Sequence, residues 1–211
     1  MKLLTNTMML VVFMAAITSI GGYSVNAQTT RIDEKFDGVT PEALPSGWAA
    51  DPAIIGGRTT WTTNAGALNP SSPGPPSTPN LAKFQSYNLP AGSTARLITP
   101  TMNWSGVTTP TFTFKYRRDV QYLSSLDRVF IDASTDNGTS WTEIAGPYNR
   151  PTDIPGTTYW QDISVNVSTY VSQTSVKFAF RAISEYGNWI HVDNVFIGQP
   201  AEEVGAGARK M

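Results

Sequence analysis

The side chains that could carry out catalysis are few in this chain. It contains no cysteine and one histidine, His191, which precedes Asp193 by two positions. A histidine and a carboxylate are two components of acid–base or nucleophilic catalysis, but side chains two apart in a strand share a face without necessarily touching. No further group stands at a spacing that completes a Ser-His-Asp or metal–histidine arrangement. We therefore expect no enzymatic activity, and we expect His191 to be a buried or half-buried structural residue.

A second pattern with chemical associations is STDNGTSW, residues 134–141, which fits S-x-D-x-G-x-[ST]-W. This pattern is best known from sialidases, where repeated copies decorate a β-propeller. A propeller needs four or more similar blades, and the chain has no internal repeat. Asn137-Gly138 favours a tight turn with positive φ, Asp136 can accept hydrogen bonds from nearby amides, and Trp141 can cover the turn. The motif therefore predicts a β-hairpin and not a catalytic site.

Aromatic residues in polar surroundings are the candidate ligand contacts. Sugars bind to aromatic platforms flanked by polar groups. The candidates are Tyr122, Tyr148, Tyr186 and Trp189. Charged side chains opposite the apolar rows of the predicted strands could add polar contacts: Lys115, Arg117, Arg128, Asp132, Lys177 and Arg181. The alternative is an ordinary solvated sheet face with scattered exposed aromatic residues, which needs no functional explanation.

The elements that must position these residues are β-strands. In residues 111–117, Phe112, Phe114 and Tyr116 alternate with polar side chains, which predicts a strand with one buried face. The same alternation recurs in 127–134 and 175–181, and strands are also predicted at 158–167, 189–198, 59–63, 95–99 and 140–144. Apolar spacing typical of helices is almost absent from this part of the chain. The pattern predicts an antiparallel, jelly-roll-like β-sandwich.

The beginning of the chain has the three parts of a secretory signal peptide. Lys2 is followed by an apolar run, Met8 to Ile20, and by Val25-Asn26-Ala27 as a small-residue cleavage site. The apolar run is too short to span a membrane. We expect cleavage after Ala27, a secreted or extracellular protein, released or at the cell surface, and no membrane insertion after cleavage.

The remaining chain is predicted to be one domain, residues 28–198, followed by a disordered tail, residues 199–211. The proline-rich segment Asn69 to Asn80 is expected to be an exposed loop. The net charge of −1 gives no electrostatic reason to expect a nucleic acid or an anionic membrane as a partner. An exported chain without cysteine must obtain its stability from packing, with or without a bound ion.

Taken in order, several segments resemble the choice-of-anchor J domain family, which is related to the cleaved-adhesin and MAM-type domains. The resemblance is carried by EKFDGVTPEALPSGW (34–48), LITPTMNWS (97–105), DRVFIDASTDNGTSW (127–141) and FAFRAISEYGNWIHVDNVFIG (178–198). It implies a secreted jelly-roll sandwich used for adhesion or binding outside the cell and not for catalysis. The likeness covers most of the chain from about Glu34 to Gly198.

The resemblance also implies a structural calcium ion between the opening segment and the closing strand. Asp37 and Asp193 stand at the matching positions, and Asp51 is the acidic residue that follows Trp48. Calcium takes six to eight oxygen ligands, so such a site would join the first and last strands. The alternative is that Asp37-Gly38 forms a turn and that Asp193 accepts hydrogen bonds from loop amides.

Together these observations predict a non-catalytic recognition or adhesion module. The expected partner is an extracellular carbohydrate or a cell-surface protein. The alternative is a structural protein of the cell envelope or matrix that associates with its own kind.

Overall fold

The computed structural model describes residues 31–65, 80–117, 124–149 and 160–200. Within these ranges the chain forms strands and two single-turn 3-10 helices, Ser86–Asn88 and Ser168–Tyr170. The strands are β1 Arg31–Glu34, β2 Ala49–Asp51, β3 Ile54–Ile55, β4 Arg58–Thr59, β5 Trp61–Ala65, β6 Asn80–Phe84, β7 Thr94–Ile98, β8 Thr111–Arg117, β9 Arg128–Ser134, β10 Thr142–Asn149, β11 Trp160–Val165, β12 Lys177–Ile183 and β13 Ile190–Gly198.

The strands form two packed antiparallel sheets. Sheet A has the order β11-β8-β13-β6-β5, and β1 also pairs with β13. Sheet B has the order β10-β9-β12-β7-β2, and β3 and β4 form a separate small hairpin. All pairings are antiparallel. The predicted antiparallel jelly-roll-like β-sandwich is confirmed.

The core follows from the alternation of apolar residues in the sequence. β8 of sheet A buries Phe112, Phe114 and Tyr116 on one face, and β12 of sheet B buries Phe178 and Phe180. The two sets meet between the sheets. The ring centroids of Phe114 and Phe180 lie 5.0 Å apart, and those of Phe112 and Phe178 lie 5.3 Å apart. Such edge-on and tilted contacts between aromatic rings stabilise the core beyond the area that they bury.

β13 is the most heavily paired strand of sheet A. On one side it pairs with β8, and on the other its first residues pair with β6 and its last residues with β1. The register against β8 shifts between Asp193 and Phe196, where Asn194 has a φ of 48°. One extra residue of this kind is a β-bulge. Because of the bulge, Val192 and Val195 can both be buried in the core although they are three residues apart.

The hairpin predicted from STDNGTSW joins β9 to β10. Asn137 and Gly138 have φ angles of 61° and 93°. The Asp136 carboxylate accepts hydrogen bonds from the Ser140 amide at 2.9 Å and the Ser134 hydroxyl at 2.7 Å. The hydrogen bonds from Ser140 and Ser134 hold the pKa of Asp136 well below its usual range. The hairpin prediction is confirmed, with Asp136 in the predicted role.

Gly146 allows β10 to lie unusually close to β9. Its φ is 110°, and a Cβ at this position would lie 2.9 Å from the Val129 carbonyl oxygen and 3.0 Å from the Phe130 Cα. Both are backbone atoms of β9, which is paired with a strand on each side, so they cannot move without disturbing the sheet. We expect Gly146→Ala to lower the free energy of unfolding by about 3 kcal/mol, measured by urea denaturation. Gly106→Ala is the matched control, because Gly106 has open space around its Cα. Equal losses for the two variants would contradict this account.

Several sequence predictions lie outside the described residues. They are the signal peptide, Tyr122, most of the proline-rich segment 69–80 and most of the tail 199–211. In the part of the chain that is described, no helix has the length and apolar character needed to cross a membrane.

Candidate functional site

The charged residues predicted opposite the apolar rows lie on two different surfaces. Lys115 and Arg117 belong to β8 and face outward from sheet A. Arg128, Asp132, Lys177 and Arg181 belong to β9 and β12 and face outward from sheet B. The two groups are therefore on opposite sides of the sandwich and cannot form one binding face.

The outer face of sheet A contains a buried row of basic side chains. Lys83, His191 and Arg117 are register partners across β6, β13 and β8, and all three are buried. Arg117 Nη1 lies 3.1 Å from His191 Nδ1. Burial lowers the pKa of His191 well below its ordinary value, and the neighbouring charges of Arg117 and Lys83 lower it further. The predicted burial of His191 is confirmed, and its lowered pKa favours the neutral form.

Two of the predicted aromatic ligand contacts pack within the fold. The strand predicted at 140–144 is longer than expected: β10 continues through Gly146-Pro147 to Asn149, with register shifts against β9, and so includes Tyr148. The Tyr148 ring packs against Phe114 at 5.9 Å, and burial raises its pKa. The Trp189 ring is covered by the Lys83 ammonium group, which lies 4.5 Å from the ring centroid.

Tyr186, in contrast, projects from the protein beside a second tyrosine. Tyr87 and Tyr186 have 49% and 61% of their surface exposed. Their rings are stacked, with centroids 5.9 Å apart and planes inclined by 28°. We call these two residues the tyrosine platform. Exposed stacked aromatic rings present apolar faces and hydroxyl groups together, which suits a ligand with both characters.

The loops that carry the tyrosine platform are joined by Asp127. This carboxylate is fully buried, and its Oδ1 accepts hydrogen bonds from the Glu185 amide at 2.7 Å, the Gly187 amide at 3.3 Å and the Ser86 hydroxyl. Three separate segments are thereby held together: the turn after β6, the start of β9 and the loop between β12 and β13. Because both tyrosines stand on segments bonded to Asp127, the backbone at both positions is held in place.

A cleft of about 580 Å³ lies at the same end of the sandwich. Its walls include Ser124, Leu126, Arg128, Pro147, Asn149 and Glu185. Arg128 Nη1 and Glu185 Oε1 form an ion pair at 3.2 Å in this wall. Glu185 directly precedes Tyr186, so polar groups and an exposed aromatic ring occur within one loop.

The sequence indicated one member of this site and missed two. Tyr186 was expected, but Tyr87 and Asp127 were not. An aromatic residue in the polar turn that follows a buried strand, as in SYN one residue after NLAKF, is the signal that could have identified Tyr87. Nothing local distinguishes Asp127, because its partners are distant in sequence.

The predicted calcium ligands are only partly brought together. Asp51 faces outward from β2 at the edge of sheet B, whereas Asp193 faces outward from β13 in sheet A. Asp51 is therefore separated from the other two by the sandwich itself. Within the described ranges no group of three or more His, Cys, Asp or Glu side chains could hold a metal ion.

Asp37 and Asp193 both lie close to the place where β6 and β1 adjoin β13. Asp37 Oδ1 accepts a hydrogen bond from the Asn80 amide at 3.1 Å, and Asp193 Oδ1 accepts one from the Asn194 amide at 2.7 Å. The side-chain Oδ1 atoms of Asn80 and Asn194 are buried and lack a hydrogen-bond partner among the described atoms. Buried unsatisfied oxygens beside carboxylates are the type of donor that calcium prefers. The residues of this region therefore carry oxygen donors of the type that a calcium ion takes.

The outer face of sheet B carries a different polar arrangement. Arg96 and Arg181 are register partners in β7 and β12, and the Nε of each donates to Oδ2 of Asp132 at 2.8 Å. Arg181 Nη2 also contacts Glu143 Oε2 at 2.5 Å. Asp132 was predicted on an outward row and does lie there, but the two arginines cover it and it is buried.

Comparisons with known proteins identify solved structures of the same fold. The K2 cleaved adhesin domain of Lys-gingipain matches with a TM-score of 0.56 and 16% identity, over 81% of this chain and 98% of that domain. The K1 domain of Lys-gingipain from Porphyromonas gingivalis W83 matches with a TM-score of 0.51 and 16% identity, over 82% of this chain and 99% of that domain. The K3 domain from the same organism gives a TM-score of 0.51 and 20% identity, over 77% and 99%. Searches by sequence find no matching family model and no matching curated protein.

Proposed function

We propose that this chain is a secreted, non-catalytic recognition module that binds extracellular carbohydrate through the tyrosine platform. The observation that carries the proposal is the pair of stacked, half-exposed tyrosines standing on loops that one buried carboxylate holds together. The fold shared with cleaved adhesin domains of Lys-gingipain is compatible with this role. The choice-of-anchor J resemblance implies the same type of activity.

The chemistry of the platform suits a sugar. A pyranose ring has an apolar face of C–H groups that packs on an aromatic ring, and a rim of hydroxyl groups that need polar partners. Tyr186 supplies the ring, while Arg128, Glu185 and Asn149 supply donors and acceptors from the adjacent cleft. The cleft volume of about 580 Å³ is in the range of ordinary small-ligand sites.

The charged groups beside the platform are paired with each other, which suits ligand binding better than proton transfer. Arg128 and Glu185 neutralise each other. The one histidine of the chain is buried in sheet A and neutral. The proposed role therefore requires no reacting group at the platform.

The test is a glycan-binding screen with the secreted form of the chain, followed by affinity measurements on variants. Tyr186→Ala and Tyr87→Ala should each weaken binding by about tenfold or more, because the residues at the centre of a binding site dominate its affinity. Ile54→Ala is the matched control, since Ile54 is equally exposed but stands on the separate β3–β4 hairpin. Failure to bind any glycan, or unchanged affinity in both tyrosine variants, would overturn the proposal. Binding to a surface protein or to a second copy of the chain would then be examined instead.

The proposed module also includes a calcium ion at the junction of β1, β6 and β13. Asp37 and Asp193 supply carboxylates, and Asn80 and Asn194 supply the buried amide oxygens described above. A bound ion would add a cross-link between the first and last described strands without any disulfide bond.

Removal of calcium is accordingly expected to lower the thermal stability of the protein. At a calcium concentration a hundredfold above Kd, binding contributes about 2.7 kcal/mol, which corresponds to roughly 5–10 °C in Tm for a domain of this size. Scanning calorimetry with calcium and with a chelator measures the difference. Asp37→Asn should abolish the calcium response, and Asp51→Asn should leave it intact. Identical midpoints with and without calcium would remove the ion from the proposal.

A further inference from the structure

Arg96 and Arg181, which we call the arginine pair, are fixed on the outer face of sheet B with their terminal nitrogens directed outward. The Nε of each arginine bonds to the buried Asp132 carboxylate. The arginine side chains retain 27% and 17% exposure, whereas that of Asp132 retains 2%. Because Nε is anchored beneath, it is the Nη edge of each guanidinium group that can meet a ligand.

Aromatic rings hold the planes of both guanidinium groups. The Cζ atom of Arg96 lies 5.3 Å from the centroid of the Trp141 ring, and that of Arg181 lies 4.3 Å from the centroid of the Phe130 ring. Trp141 is the final residue of the hairpin motif, so the turn also positions Arg96. An arginine held by a carboxylate at Nε and by a ring at its face has lost most of its rotational freedom before binding.

One member of the arginine pair also binds a second carboxylate. Glu143, which is half-exposed on β10, places Oε2 at 2.5 Å from Arg181 Nη2. Within the described part of the chain, the Nη atoms of Arg96 have no such partner. Asp51, the register partner of Arg96 in β2, faces the same side of sheet B but forms no ion pair with it among the described residues. The face therefore presents one guanidinium edge that contacts a second internal carboxylate and an adjacent edge, on Arg96, that does not.

From this geometry we propose that the arginine pair binds the carboxylate of an acidic polysaccharide, at a second subsite distinct from the tyrosine platform. A guanidinium edge forms two parallel N–H···O bonds with a carboxylate, which a neutral sugar cannot provide. Glu143 competes for Arg181 and limits the affinity of the site. The choice of a polysaccharide over another source of carboxylates rests on the proposed function, and the carboxylate chemistry rests on the arginine pair alone.

The experiment compares polygalacturonate and hyaluronate with fully methyl-esterified polygalacturonate, in which the same sugar backbone has no free carboxylate. Affinities are measured by calorimetry at physiological ionic strength. We expect binding to at least one acidic polymer, and we expect the affinity for the methyl ester to be lower by about tenfold or more. Arg96→Lys keeps the positive charge and a partner for Asp132 but removes the guanidinium edge that can form two parallel bonds with a carboxylate. This variant should lower the affinity for the acidic polymers by about tenfold. Glu143→Gln should strengthen it.

Matched variants separate this subsite from general charge and from the platform. Lys177→Gln removes a positive charge from the same outward face of β12 and should leave acidic binding unchanged. Tyr186→Ala should keep the difference in affinity between the acid polymer and its ester. The same variant should lose affinity for neutral glycans if the proposed function is correct. Circular dichroism and Tm establish that Arg96→Lys is folded.

The inference is overturned if neither acidic polymer binds, if acid and ester bind equally, or if Arg96→Lys keeps full affinity. If Arg96→Lys and Lys177→Gln lowered the affinity for the acidic polymers equally, the binding would reflect general charge attraction and not a specific carboxylate site. Poly-glutamate binding as tightly as the polysaccharides would overturn the assignment to a glycan.

Discussion

Phe180→Ala is expected to lower the free energy of unfolding by about 4 kcal/mol, because large-to-small substitution of a buried phenylalanine leaves a cavity that the sheets cannot close. Phe180 is fully buried on β12 and contacts Phe112 and Phe114 of the opposite sheet, with ring centroids 5.8 and 5.0 Å away. Both contacts have the edge-to-face geometry that aromatic pairs favour. The measurement is the unfolding free energy in guanidinium chloride.

The neighbouring residue Phe130 offers the control for this prediction. Phe130 faces outward from β9, is half-buried and contacts the Arg181 guanidinium. Phe130→Ala removes the same atoms from the outer face and is expected to cost about 1 kcal/mol. If the two variants lose equal stability, the aromatic core between the sheets is not the main source of stability that the structure indicates.

Asp132→Ala is expected to cost about 3 kcal/mol, because it leaves two arginines side by side without the carboxylate that neutralises them. Arg96 and Arg181 are direct register partners, so their charges are brought together by the backbone. Removing one member of a buried ion pair typically costs about 3–5 kcal/mol, and the lower end applies here because both arginines reach solvent. Urea denaturation measures the loss.

The size of this effect distinguishes Asp132 from the exposed acid of the same cluster. Glu143→Gln breaks the outer contact with Arg181 and is expected to cost less than about 1 kcal/mol, since exposed ion pairs contribute little. Added salt should reduce the Glu143 contribution more than that of Asp132, because buried pairs are less screened. A loss for Asp132→Ala as small as that for Glu143→Gln would contradict the buried role of Asp132.

The architecture could be predicted from local pattern, because alternation determines which face of a strand is buried. Thr111–Arg117 and Arg128–Ser134 bury the residues that their alternation indicates, and Asn137-Gly138 forms the turn that its types favour. In these elements the decisive interactions are between residues close in sequence or within one strand. Neighbouring residues therefore carry the necessary information.

The outward faces could not be predicted in the same way. Alternation places Arg117 and Asp132 on polar rows, yet both are buried. Asp132 is covered by side chains from β7 and β12, and that pairing depends on the strand order of sheet B. The candidate ligand site shows the same limit: Tyr87 and Tyr186 become neighbours because Asp127 bonds to residues that are remote in sequence from it.

The position of β13 has a consequence for the order in which the chain can fold. As the last described strand it lies between β8 on one side and β6 and β1 on the other, and Arg31 pairs with Gly198. Sheet A therefore cannot be completed until nearly all of the described chain has been synthesised. Pairings this remote in sequence are typical of proteins that fold in milliseconds to seconds instead of microseconds. During synthesis β8 lacks both of its neighbours in sheet A, β11 and β13, and its apolar side chains stay uncovered for that period. Uncovered apolar strands of this kind favour aggregation.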